Sequence, residues 1–269
     1  MTGTAHPFGV LIAAHGGRHI DRHSNGSIIR LAENVAARLG GAPVGVGYIN
    51  GVPAIDAAIA ALAVRDIIVY PLFMADGHFG HAVLERLIEE ARGSRPEVSV
   101  TMLPPLGLDP ALADLVVGKA ASAAASFSVP LDEVTLVLLA HGSTRGRASA
   151  AAAGRTAEHA LAHRLFADVR VAFLDEAPSL QTTVSDIKGP AAVAGLFSGD
   201  GLHGGGDAAR LMAQLEHDDV IYVGNAGLFA GLENLISTAV NTALSARLAR
   251  LPWLTANASP GVHDTGSPC

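Results

Sequence analysis

Short apolar runs alternate along this chain with longer stretches whose apolar residues recur every three or four positions. The runs at 8–13, 44–49, 67–73 and 98–103, and again at 134–139, 169–174, 191–197 and 220–223, read as strands. The stretches at 25–39, 54–63, 79–92 and 110–126, then at 147–165, 179–187, 207–216 and 229–249, read as helices. Strands that alternate with helices predict parallel sheets with helices on both faces. Near-continuous apolar runs such as 67–73 and 134–139 are what doubly covered strands require.

The whole pattern occurs twice. F-G-V-L-I-A-A-H-G-G, ending at Gly17, is echoed by V-T-L-V-L-L-A-H-G-S, ending at Ser143. V-G-Y-I-N-G-V-P around Asn50 is echoed by V-A-F-L-D-E-A-P around Asp175. P-L-F-M-A-D-G-H, ending at His78, is echoed by G-L-F-S-G-D-G-L-H, ending at His203. The offsets are 126 from His15 to His141, 125 from Pro53 to Pro178 and 124 from Asp76 to Asp200. Three matches in one order at a nearly constant offset identify an internal duplication. The expected fold is therefore α/β, with two similar four-stranded parallel-sheet units facing across a cleft. They span 1–128 and 129–252, and an unstructured tail is expected over 253–269.

Composition narrows the function classes. A formal charge of −7 disfavours a sequence-independent grip on nucleic acid, which needs a basic face. The single cysteine, Cys269, excludes an intrachain disulfide and any site built from several thiolates. No apolar run is long enough to span a bilayer and no basic-then-apolar leader opens the sequence, so a soluble cytoplasmic protein without a membrane partner is expected. Neither a G-x-G-x-x-G nor a G-x-S-x-G pattern is present, which disfavours nucleotide binding and serine hydrolysis.

Ligands of open parallel sheets bind beyond the carboxyl ends of the strands, and all three repeated motifs fall there. A lone His at such a place is more often a hydrogen-bonded structural residue. A His after the first strand and another after the third, in both halves, is harder to attribute to packing. In the second half His141, His203 and Asp175, with Glu176 as a substitute for Asp175, suit a first-row divalent metal held with open positions. The first half offers His15 and His78 but Asn50 in the carboxylate place, so the second half is the better equipped. His81 is an alternative to His78, and His19 with His23 form an i, i+4 pair in a loop leading to a helix. The backbone amides of Gly204 and Gly205, ahead of a helix opening at Asp207, suit a ligand carboxylate.

These motifs resemble those of the class II tetrapyrrole chelatases, the CbiX/SirB group acting on sirohydrochlorin, over roughly residues 8–250. The resemblance implies insertion of Co²⁺, Fe²⁺ or Ni²⁺ into sirohydrochlorin or a related tetrapyrrole, in cobalamin or sirohaem biosynthesis. It implies catalytic roles for His141, His203, Asp175 and His15, with His78 as the first-half counterpart of His203. Arg18, Arg145 and Arg147, just after the two A-H-G turns, are placed to meet substrate carboxylates. No obligatory cofactor is implied, because the divalent metal is a substrate. The sequence departs from the family at the acidic position, usually Glu, where it has Asp175 and Asn50, and carries one extra residue before His203. The alternatives are a non-catalytic tetrapyrrole or metal carrier on the same scaffold, and a metabolite-binding module with structural histidines. A duplicated chain forms internally the cleft that a single-unit relative builds by dimerising, so a monomer is expected, with a dimer as the alternative.

Overall fold

The computed structural model describes residues 6–16, 22–77, 81–143, 146–199, 208–215 and 219–249. The first half contains β1 (Gly9–Gly16), α1 (Arg22–Arg38), β2 (Val44–Asn50), α2 (Ile55–Ala61), β3 (Asp66–Pro71), α3 (His81–Ser94), β4 (Ser99–Met102) and α4 (Ala111–Ala124). The second contains β5 (Thr135–Ala140), α5 (Ala148–Ala162), β6 (Asp168–Phe173), α6 (Leu180–Ser185), β7 (Ala191–Gly195), α7 (Ala208–Ala213), β8 (Val220–Asn225) and α8 (Leu232–Ala249). A 3₁₀ turn precedes the last helix of each half, at Leu106–Leu108 and at Ala226–Leu228. Both sheets are fully parallel, in the orders β2-β1-β3-β4 and β6-β5-β7-β8. The predicted duplication is thus present strand for strand.

Alternate residues of the strands divide the core into three. Leu11 and Ala13 of β1 pack outward under α2 and α3, and Val137 and Leu139 of β5 pack outward under α6 and α7. Val10 and Ile12 of β1 share one inner core with Leu136, Leu138 and Ala140 of β5, built on residues of α1, α4, α5 and α8. The result is five layers: outer helices, sheet, four inner helices, sheet, outer helices. A continuous apolar core joins the inner faces of the two sheets, so the room for a ligand lies beyond the strand ends.

Two of the four inner helices, α4 and α8, are exchanged. Helix α4 closes the first half in sequence but packs on β7, β8 and α5 of the second. Helix α8 closes the second half but packs on α1 and β3 of the first. The inner face of each sheet is therefore covered by one helix of its own half, α1 or α5, and by one lent by the other half. Polar links follow the same exchange. Arg247 of α8 donates to Asp66 at 3.1 Å, Arg38 of α1 donates to Glu233 of α8 at 3.3 Å, and His163 at the end of α5 lies 2.8 Å from Asp114 of α4.

Glu233 makes acid stability a test of this exchange. Burial alone would raise its pKa, but the backbone N–H groups of Glu233 and Gly231 and the Arg38 guanidinium together hold it below the ordinary 4.5. A depressed carboxyl contributes stability that is present above 4.5 and is lost as the pH falls through the lowered value. The Glu233→Gln variant is expected to melt below the parent chain at pH 7 and to converge on it as the pH falls below 4.5. A gap that is constant across that range in thermal melts would refute the role given to this carboxylate.

Candidate functional site

Both A-H-G turns form at the carboxyl end of a central strand, where the ladder to the next strand is still closing. In the second half Leu174 N–H donates to Ala140 O at 3.1 Å and Asp175 N–H to His141 O at 3.0 Å, so Asp175 runs alongside His141. The side chains follow: His141 Nδ1 lies 3.1 Å from Asp175 Oδ2, with 40% and 55% of the two side chains exposed. This leaves the imidazole half-open to solvent, with a carboxylate beside its Nδ1 edge. Gly142 then adopts φ +76°, in the left-handed region that turns the chain toward α5, and its N–H donates to Ser149 Oγ at 3.1 Å.

Glu176 sits on the other side of this turn. Its Oε1 accepts from Ser143 N–H at 2.9 Å, so one carboxylate oxygen is engaged by the backbone. An open recess of about 680 Å³ lies beside it, lined by the 174–179 loop and Thr182. In both halves this loop doubles back on its own strand: Tyr48 N–H donates to Pro53 O and Phe173 N–H to Pro178 O, each at 2.9 Å. Both prolines follow cis peptide bonds, Val52–Pro53 and Ala177–Pro178.

The first half repeats the scaffold with different side chains around it. His15 is exposed at the end of β1, and Gly16, with φ +74°, is in register with Asn50. Val52 at the following loop tip is 76% exposed. Position 51 is glycine where the second half has Glu176. Tyr48 stands where the second half has Phe173; its hydroxyl is buried without a hydrogen-bond partner, and burial raises its pKa.

Of the residues singled out from the sequence, His141, Asp175 and Glu176 are brought together, with His15 and Asn50 at the corresponding place in the other sheet. Arg147 is exposed immediately before α5. His78, His203, Arg18, Arg145, Gly204 and Gly205 lie outside the described residues, as do His19 and the expected tail 253–269. Among the described residues no group of three or more His, Cys, Asp or Glu side chains is assembled to hold a metal. One expectation changes. His23 belongs to α1, which starts at Arg22, and not to a preceding loop. His81 opens α3 with Nδ1 3.5 Å from Asp76 and Nε2 3.3 Å from Glu85, so carboxylates flank both ring nitrogens.

One polar arrangement had no signal in the repeat. Buried Asn225 accepts from the Tyr222 hydroxyl and donates to Gly199 O at 3.3 Å, tying the end of β8 to the loop after β7. The corresponding first-half positions are Met102 and Pro105, so a search for duplicated motifs passes over it. Gly195 leaves the room for it, since a Cβ there would meet Tyr222 Oη at 2.5 Å.

Residues 9–123 match the CbiX family model. The structure of CbiX, the terminal enzyme for biosynthesis of sirohaem in denitrifying bacteria, has 29% identity and a TM-score of 0.73. That match covers 87% of this chain and 99% of CbiX. SirB from Bacillus subtilis, solved with Fe³⁺, has a TM-score of 0.75 at 16% identity, covering 91% and 98% of the two chains. The sirohydrochlorin chelatase SirB from Bacillus subtilis subspecies spizizenii, in complex with cobalt, has a TM-score of 0.72 at 15% identity, with coverage of 91% and 98%. At those identities the two SirB structures establish the fold. No curated protein matches the chain. Among the described residues no helix is long and apolar enough to cross a membrane.

Proposed function

We propose that this chain, whose fold and repeated motifs are those of the CbiX and SirB chelatases, inserts a divalent metal ion into sirohydrochlorin or a close tetrapyrrole relative. The reading rests above all on the pairing of His141 with Asp175 at the carboxyl edge of a sheet of that fold. Insertion exchanges a hydrated M²⁺ and a tetrapyrrole carrying two inner N–H groups for the metallated macrocycle and two protons. Something at the site must take those protons and help strip water from the metal. A half-exposed imidazole beside a carboxylate suits both tasks. With Asp175 beside Nδ1, the carboxylate is placed to stabilise the imidazolium when a proton is taken.

His203 joins His141 and Asp175 in this proposal, with His15 and His78 supporting from the other half. Arg18, Arg145 and Arg147 meet the substrate's carboxylates together with the amides of Gly204 and Gly205. The metal is a substrate, Co²⁺ or Fe²⁺ with Ni²⁺ as the further option, and no other cofactor enters. The test is absorbance-monitored metallation of sirohydrochlorin by Co²⁺ with the protein at catalytic concentration. Multiple turnovers above the protein-free rate are expected. One-to-one pigment saturation with no rate gain would identify a carrier, and no pigment binding would overturn both readings.

A further inference from the structure

The two acidic residues of the 174–179 loop do different things. The backbone ladder between β5 and β6 runs on past the strands through Leu174 and Asp175, then stops as the chain diverges. The next N–H, that of Ser143, is met by the Glu176 side chain at 2.9 Å instead of by a carbonyl. Its stem is part of the fit. A Cβ on Gly142 would lie 2.8 Å from Glu176 Cγ, 2.9 Å from Oε1 and 3.0 Å from Phe173 Cβ. Glu176 therefore fills the space that the glycine of the A-H-G turn leaves open and closes the turn from outside. In the first half Gly51 takes this position, and a Cβ there would already lie 2.9 Å from Tyr48 Cβ. Gly51 has no side chain with which to make the same clasp.

Resting on the reading that the second half carries the chemistry, we propose that Glu176 is a positioning residue rather than a metal ligand. It locks the turn that carries His141 through Ser143 N–H, so that the imidazole meets Asp175 on one edge and the substrate on the other. What this role requires is a hydrogen-bond acceptor and a stem of the right length; the negative charge is dispensable. A ligand or proton acceptor would require the charge.

Glu176→Gln and Glu176→Ala separate the two. Glu176→Gln keeps the acceptor and stem, and its kcat and its KM for Co²⁺ are expected to stay within about threefold of the parent chain. Glu176→Ala removes both, and its kcat is expected to fall roughly ten- to hundredfold with KM for Co²⁺ little changed, as misplacement of a reacting group does. Amide hydrogen exchange supplies a readout independent of catalysis: exchange at 141–143 accelerates in Glu176→Ala and not in Glu176→Gln. Equal loss of kcat in both variants, or a raised KM for Co²⁺ in Glu176→Gln, would overturn the proposal and make Glu176 a ligand. If the parent chain itself fails to metallate sirohydrochlorin, the proposed function falls, and the exchange data alone decide the clasp. Unchanged exchange in Glu176→Ala then refutes it.

Discussion

Replacing His141 by Ala is expected to lower the metallation rate of sirohydrochlorin by roughly 10²–10⁴-fold, the range for removal of a positioned acid or base. His15→Ala, at the duplicated position, should keep most of the rate. The asymmetry follows from what each imidazole has beside it. His141 has Asp175 Oδ2 at 3.1 Å from Nδ1. His15 precedes Gly16, whose register partner Asn50 carries an amide that neither balances an imidazolium nor offsets the charge of a dication. Asp175→Asn is the companion variant: it retains the shape of the contact and removes its charge, so its rate should fall between those of the parent and His141→Ala. Steady-state rates over a range of Co²⁺ concentrations decide the matter. A His15→Ala rate below that of His141→Ala would place the chemistry in the first half.

The second large effect is on stability. Gly107→Ala should destabilise the fold by about 3 kcal/mol or more, at the upper end of what overpacking costs. For a chain of this size that is a fall of roughly 6–12 °C in Tm. Gly107 lies in the 3₁₀ turn before α4, and its N–H donates to Phe73 O at 2.9 Å. A Cβ there would sit 1.9 Å from Met74 O, 2.3 Å from Met74 C and 2.7 Å from Met74 Cα. The obstacle is backbone, so no rotamer change relieves it. Gly227 repeats the arrangement, donating to Phe197 O at 2.9 Å, with Ser198 C and O 2.4 Å from a built Cβ. Gly118→Ala in α4 is the control, because a Cβ at that helical position meets nothing within 4 Å and should stabilise by up to about 1 kcal/mol. Equal melting temperatures for Gly107→Ala and Gly118→Ala would show that the close approach is not real.

Much of this architecture was legible without coordinates. Every strand was predicted within a few residues, because a strand buried on both faces leaves an uninterrupted apolar run such as Ile67 to Phe73. Some runs stop short of the strand, as 8–13 does for β1 and 220–223 for β8, and others overshoot it. Leu196 and Phe197 are as apolar and buried as β7, but the chain leaves the sheet after Gly195. The pairing of His141 with Asp175 was also accessible, since motifs that end adjacent parallel strands in one register must meet at one edge.

By itself, then, the sequence determined the elements, their duplication and the edge at which the polar residues gather, all properties of local periodicity and strand direction. Only the tertiary structure decided the exchange of α4 and α8. Both helices are amphipathic and adjacent in sequence to their own sheet, and nothing in their periodicity says which of two similar apolar faces they cover. The same holds for Glu176 and Asp175: two neighbouring carboxylates are equivalent as letters. They part only where the ladder ends, one ring-facing, the other clasped to a backbone N–H beside a glycine with φ +76°.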